Sequence, residues 1–169
     1  MRKLFILCAF LLQLLSPVYP QQATTATIEP NLKYGKPSKE ALSLTSYAPD
    51  TTATAIYLFH QGQSDFIYHD GFQLTTEHWV RIKILKPQGV SYADVSVPYY
   101  SPTDKDEGQE RASEIEGCSY NMENGKCIKT PMKRESISFE RFNNLYKILK
   151  FSLPAVKEGT IIERSEERR

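Results

Sequence analysis

From Phe72 to Leu85 the chain alternates almost without interruption. The even positions are Phe72, Leu74, Thr76, His78, Val80, Ile82 and Ile84, and the odd ones are Gln73, Thr75, Glu77, Trp79, Arg81, Lys83 and Leu85. Successive side chains of a strand point to opposite faces. This period of two therefore predicts a β-strand with its even face buried and its odd face largely wet. Such a strand needs neighbours to bond with and a second layer over its apolar face.

The surrounding text supplies both. Ala53 to His60 is rich in Thr, Ile, Tyr and Phe, Gln61-Gly62-Gln63 reads as a turn, and Ser64 to Tyr68 returns. His69-Asp70-Gly71 carries the Asp-Gly hairpin signature. Lys86 to Gly89 turns the chain, and Val90 to Tyr99 reads as the partner of the long strand. Ser101 to Gly108 is a polar loop. Ala112–Asn121 and Lys126–Met132 flank Asn124-Gly125, and Asn-Gly between extended runs favours a tight hairpin because its turn needs positive φ at both central residues. Lys147–Leu153 is a further strand, Pro154 to Gly159 a connection, and Thr160–Glu163 the start of one more. Before all of these, Lys36–Leu42 reads as one short helix with Ser38 as its N-cap. Strands joined by short turns, with no βαβ rhythm, predict a mainly β fold: an antiparallel β-sandwich-like domain with one short N-terminal helix.

The first twenty residues read as an export signal. Arg2 and Lys3 precede Leu4–Leu15, a twelve-residue apolar run broken only by Gln13, and Ser16-Pro17 ends it. The run is shorter than the roughly 20 residues of a membrane span. Cleavage near Gln21 or after Ala23 is expected, and Cys8 reads as signal filler. The domain plan is thus 1–20 signal peptide, 21–32 flexible lead-in, 33–163 β-rich domain and 164–169 polar tail. Without Arg2 and Lys3 the 21 basic residues fall to 19 against 20 acidic ones, a balance of −1. No basic surplus remains for phosphate binding, so nucleic acid is excluded as a partner.

The residues that could carry chemistry are sparse. A two-residue turn at Asn124-Gly125 pairs Met122 with Cys127, which leaves Cys118 four residues further along, roughly 13 Å away. A disulfide needs Cα atoms within about 7 Å, so both are expected to be free thiols unless the turn is wider. His60, His69 and His78 all precede Cys118, which lies in a hairpin strand and not at a helix start. Neither a thiol triad nor a three- or four-ligand zinc site is indicated. Tyr99-Tyr100 with Tyr92 and Trp79 fits either a sugar-stacking platform or the core and rim aromatics of a sandwich, the second being the simpler reading. Asp50-Thr51-Thr52 matches a short bacterial O-glycosylation pattern of low specificity. The expectation is no catalytic residue, no cofactor site and no metal site.

Several segments together resemble a known family. They are Tyr34–Glu40, Ser46–Asp50, Asp70–Glu77 with Val80–Leu85, Tyr92–Val95, Tyr120–Lys126 and Leu153–Gly159. In this order they are similar to the bacterial domain of unknown function DUF 3857, which precedes transglutaminase-like domains in secreted proteins. The resemblance runs from about Tyr34 to Glu163. It implies a β-rich accessory domain, exported to the periplasm or cell surface, without established activity. Family members continue into a Cys-His-Asp domain, whereas here Arg164–Arg169 is wholly polar. The chain therefore resembles a truncated member, and no catalytic residue carries over.

The expected function is that of a non-catalytic domain binding or scaffolding in the cell envelope, with a protein, peptide or polysaccharide partner. The alternative is the accessory part of a transglutaminase-like or peptidase system whose catalytic domain lies on another chain. A sheet lacking its next strands would also self-associate through an open edge along Lys147–Glu163.

Overall fold

In the computed structural model, which describes residues 33–68, 71–104 and 108–169, eight antiparallel strands form two sheets. They are β1 (Ala55–Tyr68), β2 (Phe72–Ile84), β3 (Asp94–Tyr100), β4 (Ala112–Glu123), β5 (Lys126–Pro131), β6 (Ile137–Arg141), β7 (Tyr146–Ser152) and β8 (Ile161–Arg168). The larger sheet has the order β1-β2-β8-β4-β5 and the smaller one β3-β7-β6. A short helix, α1 (Lys39–Ser43), precedes them, and the Ser38 side chain accepts a bond from the Ala41 N–H as its N-cap.

The even face of β2 behaves as its alternation predicts. Val80, Ile82 and Ile84, with Ile162 of β8, pack against Val97 and Tyr99 of β3 and Leu149 and Phe151 of β7, making the core between the sheets. Each such side chain contributes roughly 1.5–3 kcal/mol on burial. The mainly β, sandwich-like class is therefore the observed one.

The odd face is not wet. Arg81 and Lys83 are fully buried, because residues 33–44 lie over this side of the larger sheet. Ala41 of α1 closes a second small cluster there with Cys118, Tyr120 and Ile161.

Three local expectations are corrected. Gln61-Gly62-Gln63 is not a turn, since β1 runs unbroken through it and Gly62 lies opposite His78. The glycine leaves room for the cross-strand ring: a Cβ there would sit 3.1 Å from the His78 ring, which would have to shift slightly. Val90–Tyr99 is not the partner of β2. Pro87–Ala93 forms a 3-10 turn that carries the chain to the other sheet, where β3 pairs with β7, and β2 instead lies between β1 and β8. The helix is one turn shorter at its start than the span Lys36–Leu42. The strand β6 and the 3-10 turn Arg134–Ser136 were not foreseen.

Residues 164–169 are not a polar tail. Arg164 to Arg168 continue β8, the middle strand of the larger sheet, hydrogen-bonded to β2 on one side and β4 on the other. Four of their five charges form two pairs, Arg164 with Glu166 and Arg169 with Glu167, while the buried Arg168 Nε has no hydrogen-bond partner. Accordingly, the expected open edge along Lys147–Glu163 is absent, because β7 lies between β3 and β6 and β8 between β2 and β4. The segments expected to be signal peptide (1–20) and lead-in (21–32), together with His69 and Asp70, fall outside the described residues.

Candidate functional site

The buried polar layer under residues 33–44 is built from three adjacent strands. Antiparallel register sets Arg81 of β2 opposite Glu163 of β8, and Glu163 opposite Cys118 of β4, so all three share a face. Trp79 and Tyr120 lie two residues along from Arg81 and Cys118 on that same face, since strands repeat every second residue.

Glu163 is the hub. Its Oε1 accepts from Trp79 Nε1 at 2.9 Å, from Arg81 Nε at 3.1 Å and from Arg81 Nη2 at 2.6 Å. Its Oε2 accepts from the Tyr120 hydroxyl at 2.6 Å and from the Gly35 N–H at 2.9 Å. Arg81 Nη2 also donates to the Lys33 carbonyl at 2.7 Å, and Cys118 Sγ–H points at the Tyr120 oxygen at 3.1 Å. Lys83 Nζ donates to the carbonyls of Leu42 at 2.8 Å and Gly159 at 2.7 Å. A charged group can be buried only when so partnered.

The electrostatics follow from burial. It pushes the Tyr34 and Tyr120 phenols above their ordinary range, for Tyr120 reinforced by its bonds to Cys118 and Glu163. Burial likewise pushes the Cys118 thiol up, against the smaller opposing effect of Tyr120. The same desolvation lowers Lys83 to about 8. A thiol raised in this way is a poor nucleophile at neutral pH.

Beyond Trp79 this face is open. A cavity of about 340 Å³ is lined there by Gln61, Gln63, Glu77, Glu114, Glu116 and Glu167, with Trp79 at its inner wall. A larger one, about 690 Å³, continues from Glu114 and Glu116 past Tyr34 and the buried Cys118 to Lys129, Lys133 and Arg134. The two share the part of β4 where its register with β8 slips between Ser113 and Glu116, and Glu114 takes φ of 47°. A bulge of this kind re-aims side chains and gathers at functional places. The smaller cavity thus sets carboxylates beside the Trp79 indole, and the larger one adds Lys129, Lys133 and Arg134.

The residues singled out by sequence are scattered. The Asn124-Gly125 hairpin has the expected register, Glu123 with Lys126 and Met122 with Cys127, and both cysteines are free, Cys118 buried and Cys127 exposed. His60 and His78 meet ring edge to ring face at 6.3 Å, and His78 Nδ1 lies 3.4 Å from Glu166. They occupy the opposite face from Cys118, because His78 pairs with Glu166 and Cys118 with Glu163. Among the described residues no group of three His, Cys, Asp or Glu is placed to hold a metal ion.

The aromatic platform does not assemble. Tyr99 is buried against Phe139 and Tyr100 meets Tyr146, while Trp79 lies in the other sheet against Phe59 and Tyr34. Asp50 and Thr52 form an exposed turn, where two bonds from Thr52 hold the Asp50 carboxyl below its usual range. Sequence reasoning missed Arg81, Glu163 and the β4 bulge. Only the spacing of Trp79, Arg81 and Lys83 hinted at a shared face, and nothing in it marked that face as covered.

No family model matches this chain, and no curated protein does. Among solved structures it is similar to a Parabacteroides distasonis protein named "putative protease", with a TM-score of 0.48 and 10% identity. The similarity covers 68% of this chain and 23% of the other, so the present chain spans less than a quarter of its length.

Proposed function

We propose that this chain is an exported, non-catalytic β-rich accessory domain that binds or scaffolds at the bacterial cell envelope. The observation that carries the reading is the closed layer around Glu163. The Cys118 thiol meets a Tyr120 hydroxyl already committed to Glu163, while His60 and His78 lie on the other face of the sheet. Groups able to do chemistry hold the sheet to its cover instead. The open carboxylate-lined groove beyond Trp79 supports binding. The basic pair Arg2-Lys3 and the apolar run Leu4–Leu15 support export. The resemblance of Tyr34–Glu163 to the transglutaminase-associated domain supports the accessory role.

Two measurements test it. Intact mass of the secreted or periplasmic product should begin near Gln21 or Thr24, and a product retaining Met1 in the membrane fraction would overturn export. In amine-transfer and peptide-cleavage assays the chain should show no turnover. Activity that Cys118→Ala abolishes with the fold retained would overturn the non-catalytic reading.

A further inference from the structure

Among the described residues the first strand of the larger sheet has no neighbour on its outer side, since β1 ends the order β1-β2-β8-β4-β5. It is fourteen residues long, with no Pro, Lys or Arg, and its one acidic residue, Asp65, is bonded to Gln63 at 2.7 Å. Exposed edges are normally blunted by shortness, proline, lysine or a bulge; of these β1 has only the bulge at Tyr57/Phe59, near one end, and its centre has none.

Both ends of β1 also carry uncovered aromatics on the same face. β8 pairs with β2 only from Thr76 onward, so the distal part of the β1–β2 hairpin stands as a two-stranded arm. Phe66 lies opposite Leu74 and Tyr68 opposite Phe72, and Phe66 is 76% and Phe72 81% exposed. Two strands alone are marginal in water, and an apolar arm of this kind needs a cover. At the other end Tyr57, opposite Ile82, meets Tyr92 edge to face at 6.2 Å, and both are exposed. Leu74 and Ile82 are both even positions of β2, which places Phe66 and Tyr57 on one face.

We propose that β1 pairs antiparallel with β1 of a second copy of this chain, about a two-fold axis at Gly62. A two-fold interface must be self-complementary, and this strand is. Its two aromatic ends are brought together, the arm of one copy lying against Tyr57 and Tyr92 of the other. Its centre, Gln61-Gly62-Gln63-Ser64, carries no charge to repel its own image. Directly opposed residues must share a face, so Gln61 faces Gln63 of the other copy and Ser64 faces His60. The irregularity at Tyr57/Phe59 then falls opposite Phe66. The two five-stranded sheets become one continuous sheet.

The test is sedimentation of the full chain with register-specific charges. Wild type should be a dimer. Gln61→Lys with Gln63→Lys gathers four like charges at the axis and should weaken dimerisation roughly tenfold or more. Gln61→Lys with Gln63→Glu sets opposite charges against each other at the same positions and should restore the dimer. Both sites are exposed, and equal unfolding midpoints would show that the fold is kept. A monomeric wild type would overturn the proposal, as would a dimer indifferent to the four lysines or one that the charge swap fails to restore. A monomer that binds lipid vesicles through Phe66 would overturn it in favour of a membrane occupant.

Discussion

The two faces of the larger sheet are buried by different means. One meets the smaller sheet through Val80, Ile82, Ile84 and Ile162, against Leu149 and Phe151. The other lies under residues 33–44 and buries Arg81, Lys83, Glu163 and Tyr120. On β8 the two modes are one residue apart, at Ile162 and Glu163. The apolar face asks only for side chains of about the right volume, because dispersion and water exclusion are not directional. The polar face asks for particular atoms. Glu163 accepts five bonds from Trp79, Arg81, Tyr120 and Gly35. Such a network adds little net stability over an apolar substitute, yet removing one member strands the others without water. The contrast teaches that here the apolar face holds the sheets together, while the polar face dictates where residues 33–44 lie.

The largest effect should come from breaking the polar side. Glu163→Ala leaves the Arg81 guanidinium buried without its carboxylate and should cost about 3–5 kcal/mol. Urea unfolding would measure it. A cost near zero would mean that residues 33–44 are not held by this network and that the two faces do not differ as described.

A smaller change probes the apolar side one residue away. Ile162→Val removes a single methylene from the inter-sheet core and should cost about 0.5–1.5 kcal/mol, with no change in the exchange of the Gly35 amide. A loss of that amide's protection would show that the two faces are coupled through β8.

The smallest effect is a slope in pH. Lys83 titrates at about 8 in the folded chain against an ordinary value of 10.5. Between these values the unfolded state binds more protons, so the contribution of this site to stability rises with pH across that window. Tyr34, Tyr120 and Cys118, all pushed up, act in the opposite sense once their unfolded forms ionise. The difference between wild type and Lys83→Met isolates the lysine. That difference should shift in favour of wild type as pH rises from about 8 to 9, where the lysine discharges and the phenols have not. A flat difference would show that Lys83 is not desolvated and that its two carbonyl bonds are made in a wetter setting.

Local signals were legible in the sequence wherever their cause is local. The alternation of Phe72–Leu85 encodes a strand whatever surrounds it, and it continues past the sheet into the exposed arm at Phe72 and Leu74. Asn124-Gly125 set the hairpin register because positive φ at both positions, 50° and 76°, is a property of those residues themselves. Ser38 capped its helix for the same kind of reason. The turn expected at Gly62 failed because a glycine can also mean a close neighbour, and that neighbour, His78, lies on another strand.

What only the tertiary structure decided was the partner of each polar residue. An arginine in an alternating strand reads alike whether its face meets water or a covering segment. The groups that make Arg81 buried are Lys33 and Glu163, 48 and 82 residues away, and Glu163 reaches 128 residues back to Gly35. The polar run from Arg164 read as a tail for the same reason. Most of its charges find partners in the middle of a sheet, and strand order is set by which faces can be covered together, a property of the assembled layers and of no single segment.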